Sequence, residues 1–450
     1  MSTKRRIPSK SDIAEDVPEL NSSPDLPTGP TGRFIVTMAP GSQRKMIKSL
    51  KDRAGISAAS TADFDAAKVD LESLGGADAV LLEHLGIAIV SGDDAQRIQA
   101  LELSVADDSN PIMAVEPEEY VHAINDDGLL TSGGNSYARG YRDGVSDGMA
   151  RMLSGSGGRS EEFDLDAAAA FADSPLFTWG LQATRVNTSG ATGLGVRVAV
   201  LDTGFALGHP DFVGRAIASA TFVGQPVNDL NGHGTHCIGT SLGRRMLAGG
   251  NRRYGCAQQS GILVGKVLNN AGSGADGGIL AGINWAIQSG ARIISMSLGA
   301  PVGVGAPPSA AYENVGRAAL NAGCLIIAAA GNNNGPVGRP ANVQSIMAVA
   351  AVDSNLRRAS FSCRGINPNG GEVNIAGPGV GVFSSWPMPA RYNSISGTSM
   401  ATPHVAGIAA MWSQRTGLRG LALWQKLVST ARNINQLPID VGAGLVQAPQ

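Results

Sequence analysis

The stretch 196–202, "VRVAVLD", is a short apolar run that ends on a carboxylate. Four further runs follow it along the chain: "GILVGKVL" (261–268), "RIISMSLG" (292–299), "CLIIAAAGN" (324–332) and "IMAVAAVD" (346–353). Each is nearly continuous in apolar residues, which is typical of strands buried on both faces. Helix patterns such as "GGILAGINWAIQSG" separate the runs. This alternation predicts an α/β fold with a doubly wound, mainly parallel sheet.

The length and composition of the chain favour a globular protein of more than one domain. With domains of about 100 to 200 residues, 450 residues leave room for two or three of them. A net charge of −2 lacks the basic excess that nucleic-acid-binding proteins usually carry, so we do not expect a nucleic-acid partner. The 4 cysteines include no C-x-x-C pair, which favours buried free thiols over a zinc or redox site.

Changes in composition divide the chain into four parts. Residues 1–33 are polar and contain several prolines, as a flexible tail does. Residues 34–123 mix strand and helix patterns and predict a small α+β domain. Residues 124–175 are rich in glycine, serine and charge, which predicts an exposed linker. Residues 176–450 contain the apolar runs and form the predicted α/β domain.

The N-terminus, "MSTKRRIPSKSDIAEDVPEL", carries a basic cluster with no apolar stretch behind it. Neither a secretory nor a twin-arginine signal is completed there. No segment approaches the roughly 18 consecutive apolar residues of a membrane span, so we expect no membrane contact. These features predict a cytoplasmic protein, with export by a non-classical route as the alternative.

Asp202 ends the first apolar run, where ligands of such sheets sit, and His233 and Ser399 each lie where a helix pattern begins. Asp202 could simply form a turn with Gly204. His233 could bind a metal with His236, although a positioned general base is the better interpretation. Ser399 lies among small residues in "SISGTSMATPHVAG", which could serve helix packing or clear space around a reactive hydroxyl. Together they are the carboxylate, base and nucleophile that acyl transfer by serine needs.

The motifs that contain these residues resemble those of the subtilisin-like serine protease family. They are "VAVLDTG", "GHGTHCIGT", "SMSLG", "AAAGNNN" and "SGTSMATPHVAG", in the order Asp, His, Ser. The resemblance covers about residues 176–450 and is nearest to the proteinase K type, because Cys237 directly follows "HGTH" and the chain contains "YGCAQQSGILVGKVLNNAGSG". It implies a serine endopeptidase that hydrolyses peptide bonds through an acyl-enzyme.

The resemblance also assigns the site residues. It implies Asp202, His233 and Ser399 as the triad and Asn332 as the side-chain oxyanion donor, with the Ser399 N–H as the second donor. It implies a specificity pocket for apolar or aromatic side chains, although the segment after Asn332 is shorter than the family pattern, so that Arg339 could reach the pocket. The implied substrate-binding residues are Ser297, Leu298, Gly299, Gly272, Ser273, Gly274, Ala329, Ala330 and Gly331.

A second resemblance concerns residues 34–123, which are similar to the inhibitory propeptide of this family, an inhibitor I9-like domain. It implies a self-processing zymogen cut within the linker, a monomer whose partners are peptide or protein substrates and its own propeptide. For residues 34–123 the alternative is an accessory domain with no inhibitory role. For the function of the chain the alternatives are a peptide-binding pseudoprotease and an esterase. The first resemblance implies that no cofactor is required for the chemistry. It also places Asp353 at a structural Ca²⁺ position of the family, although a solvated surface carboxylate would explain an aspartate there equally well.

Overall fold

A computed structural model of the chain describes residues 26–39, 43–60, 77–107, 110–124, 170–246 and 250–450. The predicted tail up to residue 25 and the helix pattern "DAAKVDLESLG", residues 65–75, lie outside the described residues. Most of the predicted linker, residues 125–169, lies outside them as well.

The N-terminal unit is an α+β structure in which two helices cover one face of a sheet. Its strands are β1 (Pro30–Met38), β2 (Ala58–Ser60), β3 (Ala79–Leu82), β4 (Ile87–Ser91) and β5 (Ile112–Ala123), and its helices are α1 (Gln43–Ala54) and α2 (Ala95–Ser104). The strand order is β5-β1-β4-β3-β2. Met46 and Leu50 of α1 and Leu101 of α2 pack on the sheet because their spacing places apolar side chains on one face of each helix.

The second unit contains all of the apolar runs. Its strands are β6 (Arg197–Asp202), β7 (Ile217–Thr221), β8 (Gly261–Lys266), β9 (Ser273–Ala275), β10 (Ile293–Met296), β11 (Leu298–Gly299), β12 (Leu325–Ala329), β13 (Met347–Val352), β14 (Ile375–Pro378), β15 (Val382–Ser385) and β16 (Tyr392–Ile395). Its helices are α3 (Trp179–Ala183), α4 (His233–Leu242), α5 (Asp276–Gln288), α6 (Ala310–Asn321), α7 (Thr398–Thr416), α8 (Gly420–Ser429) and α9 (Pro438–Val441), with a 3₁₀ turn at Pro210–Phe212.

Seven of these strands form the central sheet, in the order β14-β13-β12-β10-β6-β8-β7. Every neighbouring pair is parallel, which confirms the predicted α/β fold with a parallel sheet. Helices α5 and α6 pack on one face and helices α4 and α7 on the other, so that the strands are buried on both sides. Helix α7 is buried over most of its 19 residues, including the polar residues Ser399, Thr402 and His404.

The fold brings three separate segments to the carboxyl edge of this sheet. Strand β6 ends at Asp202, helix α4 begins at His233, and helix α7 begins at Thr398. At the same edge, β5 of the N-terminal unit pairs antiparallel with both β9 and β11, so that one strand joins the two units.

Candidate active site

The end of β6 and the start of α4 form a buried carboxylate–imidazole pair. Nδ1 of His233 lies 2.8 Å from Oδ1 of Asp202, and both side chains are at most 1% exposed. Asp202 Oδ1 also accepts the Thr203 N–H at 2.7 Å. With Nδ1 donating to Asp202, the other ring nitrogen, Nε2, is left as the basic atom, and it has no hydrogen-bond partner in the described part of the chain.

Two opposing effects set the protonation of His233. Burial on its own lowers the pKa of His233, but the negative charge of Asp202 and the hydrogen bond to it outweigh burial and raise that pKa well above its ordinary value. Beneath the ring, burial raises the pKa of the Cys237 thiol, which is therefore neutral near pH 7. Asp202 thus favours the imidazolium that forms when His233 takes up a proton.

Ser399 is the second residue of α7 and is fully buried. Its backbone carbonyl lies 3.6 Å from Cys237 Sγ, which itself lies 3.9 Å from His233 Nδ1, so the serine segment and the histidine are adjacent. The Ser399 hydroxyl donates to the Ser297 carbonyl oxygen at 3.2 Å. The structure therefore places Ser399 beside the Asp202–His233 pair, on the other side of Cys237, with the serine hydroxyl turned toward Ser297.

Asn332 lies between the start of α7 and the end of β5. Its Oδ1 accepts the Thr398 N–H at 2.9 Å and the Thr398 hydroxyl at 2.8 Å. These two bonds orient the amide so that Nδ2 donates toward the carbonyl oxygen of Ile124, 3.5 Å away. Thr398 did not emerge from the sequence analysis; its position next to the serine in "GTSMA" was the available signal.

Gly397 keeps the space around that carbonyl open. Its φ of 155° is unusual for a residue with a side chain. A Cβ added there would lie 3.0 Å from both Asn332 Nδ2 and the Ile124 carbonyl oxygen. Any larger residue before Thr398 would therefore fill the gap between the amide donor and the carbonyl it faces. The N–H of Ser399 opens onto the same helix N-terminus, where the first N–H groups have no acceptor within the helix.

The predicted substrate-binding residues of β9 and β11 flank the end of β5. Leu298 and Gly299 of β11 pair with residues 122–123, and Ser273 and Gly274 of β9 pair with residues 121–122. The ladder continues through Ala123 N–H to the Gly272 carbonyl at 2.8 Å and Ile124 N–H to the Ser297 carbonyl at 3.3 Å. The chain segment 120–124 thus occupies the groove in the extended form that a peptide substrate would take.

The residues of the predicted specificity pocket lie at the end of β12 and directly after it. Ala329 and Ala330 are buried, and Gly331 has a φ of 113°. A Cβ on Gly331 would lie 2.8 Å from Cys363 Sγ, so only glycine fits against this thiol. Arg339 does not reach this segment through its side chain; it contacts Glu119 and Asp276 instead.

A buried carboxylate that the sequence analysis missed fixes the start of α4. Asp229 accepts the N–H groups of Gly232 and Thr235 at 2.9 Å each, along with the Thr235 hydroxyl at 2.7 Å. It also accepts the Thr203 hydroxyl at 3.0 Å, which ties this helix start to the residue after Asp202. An acidic residue four positions before His233 was the only sequence signal for this role.

Asp353 has a structural role of its own. Its Oδ1 accepts the N–H groups of Asn355 and Arg357, both at 2.9 Å, and so holds the turn after β13. Within the described ranges, the cluster of three or more His, Cys, Asp or Glu side chains close enough to share a metal is Asp202, His233 and Cys237.

Comparisons with known proteins identify the same domain. The family model described as "Subtilase family" matches residues 193–444, more than half of the chain. Subtilisin DY of Bacillus licheniformis is 39% identical over 274 residues, covering 59% of this chain and 94% of that protein. Subtilisin Savinase of Lederbergia lenta is 39% identical over 277 residues, covering 60% and 96%. A thermostable alkaline protease of Halalkalibacterium halodurans is 40% identical over 277 residues, covering 60% and 72%.

These relatives correct one prediction. The cytoplasmic location inferred from the N-terminal sequence is wrong, because the relatives are secreted subtilisins and alkaline proteases. Among the described helices, none combines the length and the apolar character needed to cross a membrane.

Subtilisins need no cofactor for catalysis, and the carboxylate, imidazole and hydroxyl gathered here are the groups that acyl transfer uses. The matched family model, the extent of the alignments and the buried site at the sheet edge all indicate the same family. The chain belongs to the subtilase family and is a subtilisin-like serine endopeptidase.

Proposed function

We propose that the chain is the zymogen of a broad-range endopeptidase, which cuts itself after Ile124. Residues 34–123 act as the propeptide, and residues 176–450 are the catalytic domain. One observation carries the proposal: the end of β5 lies between β9 and β11, with the Ile124 carbonyl oxygen 3.5 Å from Asn332 Nδ2. The bond that follows Ile124 falls at the start of the predicted linker.

The proposed reaction uses the side chains in the roles of a serine protease. With His233 in its neutral form, Ser399 Oγ rotates away from Ser297, passes its proton to His233 Nε2 and attacks the Ile124 carbonyl carbon. Asn332 Nδ2 and the Ser399 N–H hold the oxyanion of the tetrahedral intermediate. As the C–N bond breaks, His233 returns the proton to the leaving amine, which leaves an acyl-enzyme. A water molecule, deprotonated by His233, then hydrolyses the ester.

Contacts outside the groove support an inhibitory role for the N-terminal unit. Glu118 is fully buried, and its Oε1 accepts the Gly277 N–H at 2.8 Å, at the start of α5. Glu116 Oε2 accepts the Ala311 N–H at 2.7 Å, at the start of α6. Both carboxylates lie at helix N-termini, which carry partial positive charge. These bonds would hold the cut propeptide in place and keep the cleft closed to other peptides.

The residues of β5 nearest the cut indicate the side chains that the cleft accepts. Counted back from the cut, Ile124 is at the first position and Val121 at the fourth. Val121 is fully buried against the catalytic unit's apolar core, which includes Ile279, Leu298 and Tyr312. We therefore propose apolar side chains at both positions, with pairing to the two groove edges supplying affinity for many peptide sequences.

The test compares the wild-type chain with Ser399→Ala and with Ser394→Ala, an exposed serine in the same segment. Intact masses and N-terminal sequencing should show a new N-terminus at Asn125 in the wild type and Ser394→Ala, and the uncut chain in Ser399→Ala. If Ser399→Ala is cut in the same way, the self-processing proposal fails. If no variant is cut, labelling of the wild type by a fluorophosphonate separates a latent enzyme from a pseudoprotease.

Three finer predictions accompany the proposal: membership of the proteinase K branch, a monomeric state and Ca²⁺ near Asp353. The Asp353 carboxylate already accepts two N–H groups, so a cation there would share it with the turn. A rise of the unfolding temperature with CaCl₂ over EDTA in the wild type, absent in Asp353→Ala, would support this site; no rise in the wild type would exclude it.

A further inference from the structure

The pairing between β5 and the catalytic unit continues past the end of β9 through a side chain. Strand β9 stops at Ala275 because the chain enters helix α5, so the backbone offers no further acceptor in line. The Asp276 carboxylate takes its place: Oδ2 accepts the Glu119 N–H at 3.0 Å, while Oδ1 accepts the Tyr312 hydroxyl at 2.8 Å. Glu119 is the sixth residue counted back from Ile124, so the groove extends beyond the fourth position.

A guanidinium lies beside this extension. Arg339 donates from one terminal nitrogen to Glu119 and from the other to Asp276. The Arg339 side chain is 13% exposed, against 38% for Glu119 and 0% for Asp276. Its planar group lies 6.0 Å from the centre of the Tyr312 ring. The Arg339 guanidinium therefore bridges two carboxylates, one from each unit, with one terminal nitrogen on each.

Arg339 and Asp276 belong to the catalytic unit and are fixed there independently of β5. The Arg339 N–H and carbonyl exchange hydrogen bonds with Ala300, both at 3.0 Å, directly after β11. Asp276 is the first residue of α5. When the N-terminal unit leaves, Arg339 keeps Asp276 as one of its two carboxylates and loses the other. The donor that faced Glu119 then points into the open groove.

We propose that Arg339 and Asp276 form a sixth subsite that selects substrates with an acidic side chain five residues before the residue at the cut. This inference rests on the proposed function and names the substrate class of the same groove. Asp276 binds the backbone N–H at that position, and Arg339 binds the carboxylate. Glutamate restores the pair that Glu119 makes, glutamine offers only a neutral acceptor, and lysine places a second cation against Arg339.

The other titratable groups near the subsite agree with this selection. On β5, Glu116 and Glu118 also face this region, and both leave with the N-terminal unit. The titratable side chains that we identify there on the catalytic unit are Arg339 and Asp276, which contact each other. An incoming carboxylate therefore adds one negative charge beside a matched pair, as Glu119 does in this structure.

The experiment uses the full chain after self-processing and quenched fluorescent peptides based on residues 119–128, "EYVHAINDDG". Three peptides carry Glu, Gln or Lys at the first of these positions. For the wild type we expect kcat/KM about tenfold higher with Glu than with Lys and intermediate with Gln, with the ratio falling as salt is added. In Arg339→Gln we expect the ratio to fall toward one, and in Arg339→Lys to stay above one. Arg317→Gln is the matched control, because Arg317 is an exposed arginine on α6 and its variant should keep the wild-type ratio.

Two outcomes overturn the inference: equal kcat/KM for the Glu and Lys peptides in the wild type, or an unchanged ratio in Arg339→Gln. Should Arg339→Gln not fold, the wild-type series and Arg339→Lys decide the matter. A short substrate with a neutral cap, acetyl-Val-His-Ala-Ile-p-nitroanilide, ends before the subsite. If the enzyme hydrolyses this substrate but does not distinguish the Glu, Gln and Lys peptides, the subsite alone is refuted. If the enzyme does not hydrolyse this substrate, the proposed function is refuted.

Discussion

The hydrogen bonds to Asn332 lead to a prediction about Thr398, which does not itself contact the Ile124 carbonyl. Thr398→Val keeps the shape of the side chain and removes the hydroxyl that donates to Asn332 Oδ1 at 2.8 Å. The backbone N–H of Thr398 remains as the second donor, at 2.9 Å. The amide should then be held by one bond where two held it before, so that Nδ2 is less often aimed at the developing oxyanion.

The size of the effect follows from these bonds. A single hydrogen bond contributes about 1 kcal/mol net, which corresponds to about a fivefold loss of kcat/KM at 25 °C. Asn332→Ala removes the donor itself and should cost about 3 kcal/mol, or on the order of a hundredfold in kcat. Because Thr398 acts through Asn332, the double variant should be no slower than Asn332→Ala alone.

Steady-state hydrolysis of the short nitroanilide by the four members of this cycle measures the coupling. Thr402→Val is the matched control: Thr402 is another buried threonine of α7, and its hydroxyl donates to the Thr398 carbonyl at 2.9 Å. It should alter the free energy of unfolding more than kcat. If the losses of kcat/KM from Thr398→Val and Asn332→Ala are additive in free energy, the positioning role is refuted. Additive effects would mean that Thr398 acts independently of the Asn332 amide.

Three further predictions concern charge and pH. Asp202→Asn removes the charge that raises the pKa of His233, so the acid limb of the pH profile of kcat/KM should move to lower pH. The plateau of kcat should fall about 10⁴-fold. An acid limb that does not move would mean that a group other than His233 titrates. Burial lowers the pKa of His236 to about 3, whereas in the unfolded chain this side chain binds a proton near pH 6.5. The free energy of unfolding should therefore fall by on the order of 4 kcal/mol as the pH drops from 6.5 toward 3. Urea unfolding of Ser399→Ala at pH 7 and pH 4 measures this, and equal values would contradict it. Glu118→Gln weakens the charged contact with the Gly277 N–H, so the cut N-terminal unit should dissociate about tenfold faster, as followed by size-exclusion chromatography over time. Glu83→Gln is the control: Glu83 lies outside this contact, and the unit that carries this substitution should dissociate at the wild-type rate.

The central sheet could be predicted from the sequence because parallel strands covered on both faces must be apolar throughout. Runs such as 346–353 therefore stand out, and the observed strand Met347–Val352 lies within that run. The candidate site residues were equally visible, since Asp202 and His233 sit in compact motifs next to these elements. Their meeting at one edge follows from the topology, because the carboxyl ends of parallel strands lie together.

The supporting contacts could not be predicted in the same way. Thr398 and Asn332 are 66 positions apart, and Glu119 and Arg339 are 220 apart. Each of these side chains has many ordinary surface roles, and only the folded chain selects a partner for it. The placement of β5 shows the same limit: its strand pattern was recognisable, but the two- and three-residue strands that flank it, β11 and β9, are too short to carry a periodicity.

The strand that joins the two units also has a kinetic consequence. While residues 124 and 125 are linked, β5 is tethered to the groove by its own chain, and its local concentration there does not depend on how much protein is present. If the chain cuts itself after Ile124 as proposed, the same contacts then hold two separate molecules together, and their occupancy follows mass action. Dilution alone then favours the open groove, so activity should emerge earlier in a dilute sample than in a concentrated one.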